Sequence, residues 1–134
     1  SPVDSIDLKK LNEITSLNFI ANFRIIKNFH YLLKKSKNPH LAVISSLKNE
    51  YMSQYWGLYQ PIMSALNEMV LSYAHENKKN INANLYCPSA VDTDFRDMIM
   101  PGEDKSKIFS PDKVANIIVK YFERENFTGN LIKI

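Results

Sequence analysis

One stretch of the sequence, YWGLYQPIMSALNEM, places an ionisable tyrosine near the start of a helical pattern. Tyr59 carries a phenol whose reference pKa is about 10, so it is a poor proton acceptor at neutral pH. A cation one helical turn further along would favour the phenolate and lower this pKa. The position four residues on, which lies on the same helix face, holds Met63. The spacing for proton transfer is therefore present, but the cation is not.

The other tyrosines do not restore this pair. Tyr55 is followed four residues later by Tyr59, which again supplies no cation. Tyr31 and Lys35 have the required spacing, but they precede the first predicted strand and lie on a different helix. We interpret that match as accidental. Met63 therefore stands where a cation would be needed, and its apolar side chain is expected to fill irregular core space.

Further polar residues occur at ordered distances from this tyrosine. Ser46 ends the apolar run LAVISS and precedes Tyr59 by 13 positions. Asn18 lies 28 positions before Ser46. Pro88 closes a second apolar run, and Thr93 follows it by five positions. Each feature alone is common, so any functional meaning depends on their joint order.

The predicted elements alternate between helices and strands. They are a helix over 8–35, a strand over 41–46, a loop through Glu50 and Tyr55, a helix over 59–78, a strand over 81–87, a loop over 88–109 with a short helix near 94–98, a helix from Ser110-Pro111 and a strand over 130–134. This alternation predicts an α/β fold with a mostly parallel sheet.

Composition limits the class of protein. A chain of 134 residues with 45% hydrophobic content predicts a single domain, 1–134. Its net charge of +3 is mild and its basic residues are scattered, so we expect no nucleic-acid partner. No apolar run is long enough to span a membrane, the first residues lack a signal-peptide pattern, and the one cysteine, Cys87, favours the cytoplasm. The three histidines show no metal-ligand spacing, so we expect no metal.

In order and spacing, Asn18, Ser46, Tyr59, Pro88 and Thr93 resemble the C-terminal half of a short-chain dehydrogenase/reductase. The resemblance covers nearly the whole chain and implies a truncated Rossmann-type three-layer fold, with about three strands and flanking helices. It implies an NAD(P)-dependent oxidoreductase acting on a small carbonyl or alcohol. Because the residues that choose between NAD and NADP belong to the other half, the sequence does not distinguish these cofactors.

The resemblance also implies a role for each matching position. Ser46 would hydrogen-bond the substrate carbonyl, Tyr59 would transfer the proton, and Asn18 would anchor a relay water. The positions that would lie along the cofactor are Met63, Pro88, Ser89, Val91 and Thr93.

Three departures from the family pattern bear on activity. Met63 replaces the lysine, and Ser89 replaces the glycine that usually follows Pro88. The only glycines are Gly57, Gly102 and Gly129, so this sequence has no glycine-rich phosphate loop.

Two hypotheses remain open. In one, the chain is the C-terminal part of an oxidoreductase that is inactive alone and works only when another chain supplies the missing N-terminal half. We also expect the chain either to self-associate as a homo-oligomer or to pair with such a half. In the other, it is a non-catalytic degenerate relative, such as a split-gene remnant or a dimerisation module.

Overall fold

A parallel three-stranded sheet forms the middle layer of the computed structural model, which describes residues 2–47 and 54–134. The strands are β1 (His40–Ile44), β2 (Asn82–Cys87) and β3 (Leu131–Lys133), in the spatial order β1-β2-β3. Both neighbouring pairs are parallel, and the register sets Ile44 opposite Tyr86. All carboxyl ends of the strands therefore lie at one edge of the sheet.

Five α-helices connect or flank these strands in the described ranges. They are α1 (Leu8–Thr15), α2 (Ala21–Lys35), α3 (Tyr59–Glu76), α4 (Asp94–Ile99) and α5 (Pro111–Tyr121). A π-helical segment, Ser16–Ile20, joins α1 to α2, so the helix predicted over 8–35 is interrupted by one wider turn. Short 3-10 turns occur at Val3–Ser5 and Lys105–Lys107.

The helices cover the sheet from both sides. On one side α2 and α3 pack against β1 and β2, with a buried cluster of Ile26, Val43, Met63, Leu66, Val70 and Leu85. On the other side α5 packs against β2 and β3, with a cluster of Tyr86, Val114, Ile118 and Ile132. Leu85 and Tyr86 belong to different clusters because neighbouring strand residues point to opposite faces. The predicted α/β class with a three-stranded parallel sheet is confirmed.

The first strand differs from its prediction. β1 ends at Ile44 rather than Ser46. A continuous apolar run such as LAVISS predicts a strand buried on both faces, and this is wrong at Ile44, which is 56% exposed. The physical reason is helix coverage: Ile44 alternates with buried Val43 and so points to the α5 face, where the buried cluster comes from β2, β3 and α5. Of the loop predicted after β1, Glu50 lies outside the described residues.

Within residues 2–47 and 54–134, no helix is long and apolar enough to cross a bilayer.

Candidate active site

The end of β1 carries Ser46 to the same sheet edge as the start of the 88–109 loop. The N–H of Ser45 donates to the carbonyl of Tyr86 at 2.8 Å, so strand pairing continues past Ile44. Ser46 directly follows this contact, and Pro88 lies two residues after Tyr86, at the end of β2. The structure therefore brings together two of the segments that the sequence singled out.

A buried asparagine on α3 fixes this strand end. The hydroxyl of Ser45 donates to Oδ1 of Asn67, and Nδ2 of Asn67 donates to the carbonyl of Ser46 at 3.1 Å. Asn67 and Ser45 are 8% and 7% exposed, so these bonds are shielded from water. Sequence reasoning missed Asn67. A sequence signal for this contact exists, because Asn67 is a polar residue at a core position, next to Leu66 and one helical turn after Met63. A buried amide needs hydrogen-bond partners, so such a residue indicates a buried polar contact.

Gln60 is a second contact that the sequence did not predict. Its Nε2 donates to the hydroxyl oxygen of Ser46 at 3.4 Å, which is a long hydrogen bond. Gln60 is 8% exposed and directly follows Tyr59. The first turn of α3 therefore contacts the candidate catalytic serine. A glutamine at a helix start carries no sequence signal for this contact.

Tyr59 is the first residue of α3 and is half-buried. The Trp56 ring packs against it edge to face, with 5.9 Å between centroids and 67° between planes, as expected for a packing residue. Burial raises the pKa of the Tyr59 phenol above its usual value, because desolvation disfavours the phenolate. This change is opposite to the one that a proton-transfer tyrosine needs at neutral pH.

Met63 belongs to the core rather than to a polar cleft. It is 4% exposed and packs in the cluster that contains Ile26, Val43 and Leu66. A thioether has no N–H to donate and carries no charge. The interpretation of Met63 as a gap-filling apolar residue therefore agrees with its surroundings.

Asn18 lies in the π-helical segment, where sequence spacing placed a mid-helix asparagine. Its Nδ2 donates to the carbonyl of Ile14 at 3.0 Å, and its own carbonyl accepts from Nδ2 of Asn22 at 2.8 Å. Both contacts remain within the same continuous helix. The structure does not join Asn18 to Ser46 or Tyr59 through any described hydrogen bond, so its relay role stays a prediction.

The predicted cofactor segment has mainly structural contacts. The N–H of Ser89 donates to the carbonyl of Ile134 at 2.7 Å, and Val91 forms a parallel bridge with Phe109. Thr93 caps α4, because its hydroxyl accepts from the N–H of Arg96 at 3.2 Å. Pro88 follows the end of β2 directly.

A family model identifies the protein family to which this chain belongs. The model described as short chain dehydrogenase matches residues 1–104. The chain belongs to the short chain dehydrogenase family.

Solved structures of short chain dehydrogenases have the same fold. One from Salmonella enterica serovar Typhi has a TM-score of 0.82 at 23% identity, over 99% of this chain and 56% of that one. One from Escherichia coli CFT073, complexed with NADPH, has a TM-score of 0.86 at 23% identity, over 98% and 56% of the two chains. The ligand-free aldohexose dehydrogenase of Thermoplasma acidophilum has a TM-score of 0.86 at 18% identity, over 100% and 61%. The present sequence therefore spans little more than half the length of these relatives. No curated protein matches it.

Nicotinamide cofactors are a property of the short chain dehydrogenase family, and the residues present fit one only in part. Thr93 is exposed, and its hydroxyl accepts a hydrogen bond from the N–H of Arg96. The family's lysine holds the cofactor ribose, and the buried thioether of Met63 offers no donor for ribose hydroxyls. The ribose side of this site therefore does not fit the cofactor, and we derive no reaction step through it.

Two other candidate chemistries find no support. Cys87 is free and buried, and burial raises the pKa of its thiol, so it is a poor nucleophile and acts as a core residue. Across the two described ranges, no group of three or more His, Cys, Asp or Glu side chains is arranged to hold a metal ion.

The Asn67 contacts yield a stability prediction. Asn67→Ala leaves the Ser45 hydroxyl and the Ser46 carbonyl without their buried partner, and we expect a loss of about 1–3 kcal/mol in the free energy of unfolding. Urea denaturation followed by circular dichroism measures this loss. Asn116→Ala, an exposed asparagine on α5, is the matched control and should change stability by less than about 0.5 kcal/mol. Equal effects of the two substitutions would contradict the bracing role of Asn67.

Proposed function

We propose that this chain forms the substrate side of a short-chain dehydrogenase/reductase site and does not catalyse hydride transfer by itself. Ser46 would bind the oxygen of a small carbonyl or alcohol compound, and Tyr59 would lie beside the same oxygen. The single observation that carries the proposal is Met63, buried at 4% exposure where the family has its lysine. This observation concerns the described residues alone and is independent of what else a longer protein contains.

The electrostatics of Tyr59 support the catalytic part of this proposal. Burial holds its pKa above the ordinary value, and Met63 supplies no cation to offset that effect. At neutral pH the phenol stays protonated, so it can donate a hydrogen bond but is a weak base. General acid–base assistance contributes about 10²–10⁴ in rate, and most of this contribution would be missing.

The cofactor and the cellular location are also part of the proposal. NAD or NADP would be the family's cofactor, and we propose that this chain alone binds neither of them tightly, because Met63 lacks a ribose donor. We also propose a cytosolic location, which the single, free Cys87 supports.

Association with another chain is a further part of the proposal. A groove of about 400 Å³ between α2 and α3 is lined by Phe23, Ile26, Met69 and Tyr73, among others. Large apolar side chains along α2, including Phe23 of the groove, are exposed at 47–64% of their surface: Phe23, Ile25, Phe29, Tyr31 and Leu32. The resemblance to the family supports a second copy on this face, and a separate N-terminal half along the open edge of β1.

The catalytic proposal is tested by restoring the cation. The N-terminal part of the Escherichia coli relative solved with NADPH would be fused ahead of Pro2, and folding and NADPH binding would be checked by circular dichroism and fluorescence. We expect little NADPH-dependent ketone reduction from the unsubstituted fusion and a gain of about 10²–10⁴ from Met63→Lys. Ser64→Lys, an exposed neighbour, is the control for added charge.

Two results bear on this test. The gain should disappear in the double variant that also carries Tyr59→Phe, since the lysine acts through the phenol. An unsubstituted fusion that is as active as the Met63→Lys fusion would overturn the proposal.

The association proposal is tested by sedimentation velocity. The chain should sediment with twice its mass of 15.5 kDa, and Phe23→Asp should shift it to the single mass, because a carboxylate is costly in an apolar interface. Val119→Asp, which places the same charge at an exposed position on α5, should leave the mass unchanged. A folded monomer at all concentrations would contradict a second copy on this face.

A further inference from the structure

The segment 92–108 is a loop excursion whose two ends are held together. Val91 bridges Phe109, the N–H of Asp92 donates to the carbonyl of Phe109 at 2.8 Å, and the N–H of Phe109 donates to the carbonyl of Ala90 at 3.2 Å. The excursion begins four residues after Pro88, which follows β2 at the carboxyl edge of the sheet, the edge where Ser45 donates to Tyr86 and Ser46 follows β1. Ligands of open α/β sheets bind outside this edge. The excursion is therefore next to the candidate site by topology.

Every cation in this excursion is already engaged by an acid. Arg96 donates to Glu103 through Nε and Nη2, both at 2.6 Å, in a bidentate pair. Lys105 contacts Asp92 and Asp97, each at 2.8 Å, and Lys107 contacts Asp104 at 3.4 Å. The hydrogen bond from Arg96 lowers the pKa of the Glu103 carboxyl, so this pair remains ionised at neutral pH.

The charge balance of the excursion is acidic. It contains five acidic and three basic residues, which gives a net charge of −2. A carboxylate or phosphate on an incoming compound would meet this excess negative charge. Such an anionic group could pair with Arg96 only by displacing Glu103. This displacement is unfavourable, because a bidentate charge-assisted pair is among the stronger polar contacts.

The same excursion exposes apolar side chains. Phe95 and Met98 are three positions apart, hence on one face of α4, and they are 63% and 77% exposed. Met100, just after α4, is 44% exposed. Methionine side chains adapt to apolar ligands of varied shape. The excursion therefore offers exposed apolar side chains for contact, whereas each of its three cations is paired with an acid.

We propose that this excursion selects uncharged, apolar carbonyl or alcohol compounds and rejects those that carry a carboxylate or phosphate. The inference rests on the proposed function, because it names the substrate class of the same site. Phe95, Met98 and Met100 would contact the apolar part of the compound, while Ser46 binds its oxygen. The Arg96–Glu103 pair would act as the element that excludes anions.

Two compounds of equal length test this selectivity. Octan-2-one and 7-oxooctanoate share a methyl ketone and eight carbons and differ in a terminal carboxylate. Each would be titrated into the full ¹⁵N-labelled chain, with amide shifts followed at Ser46, Tyr59 and α4. We expect octan-2-one to bind about tenfold more tightly, since like-charge contacts suppress the wrong partner.

A variant pair locates the cause of the preference. Glu103→Gln removes the charge that holds Arg96, so binding of 7-oxooctanoate should strengthen while that of octan-2-one stays within about twofold. Glu123→Gln, an exposed acid that follows α5, is the matched control and should change neither. Met98→Asp should weaken octan-2-one at least about fivefold, because it places a charge on the apolar face.

The outcomes separate the two proposals. If both compounds shift Ser46 and Tyr59 but bind equally, or the oxo acid binds more tightly, the selectivity inference is overturned and the proposed function stands. If neither compound shifts these residues, or the shifts are confined to the α2–α3 groove, the proposed substrate side is overturned together with the inference.

Discussion

The burial of one face of α3 against β1 and β2 is the interaction on which the rest of this structure depends. Leu66 and Val70 are 1% and 0% exposed, and they hold the helix on the sheet. Asn67 and Gln60 are the buried polar residues that α3 adds to this packing, and the hydrogen bonds of Asn67 hold the end of β1 in place. The position of Ser46 relative to the first turn of α3, including Tyr59, follows from this packing.

Met63 shows how packing and chemistry compete on that face. As an apolar residue at 4% exposure it adds to the core, and a lysine in the same place would have to keep its ammonium hydrated or paired. In a family member with bound cofactor, the ribose supplies that partner. Here the methionine removes the need for a partner, and it also removes the cation that would lower the pKa of Tyr59. In the proposed site, Tyr59 therefore lacks the cation that the family's lysine would supply.

The sequence predicted the elements well and the contacts poorly. Periodicity alone indicated α2, α3 and α5, because apolar residues at three- and four-residue steps define a buried helix face. The regular strand β1 ends at Ile44, two residues before the predicted Ser46, and a single backbone bond from Ser45 to Tyr86 follows it. An apolar run indicates burial and does not mark the residue at which a strand ends. The partners of Asn67 and Gln60, and the ion pairs of 92–108, were not predictable, because they depend on distances set by tertiary packing.

The ionisation of Tyr59 is the most direct measure of the central claim that Met63 leaves the tyrosine without electrostatic help. Carbon-13 NMR of the chain labelled at tyrosine Cζ, with Tyr59→Phe to assign the signal, follows the phenol through an alkaline pH titration. The account predicts a pKa above the ordinary tyrosine value, since burial favours the protonated form, and a lower pKa in Met63→Lys but not in Ser64→Lys. A Tyr59 pKa below the ordinary value in the unsubstituted chain, or one that Met63→Lys leaves unchanged, would contradict it.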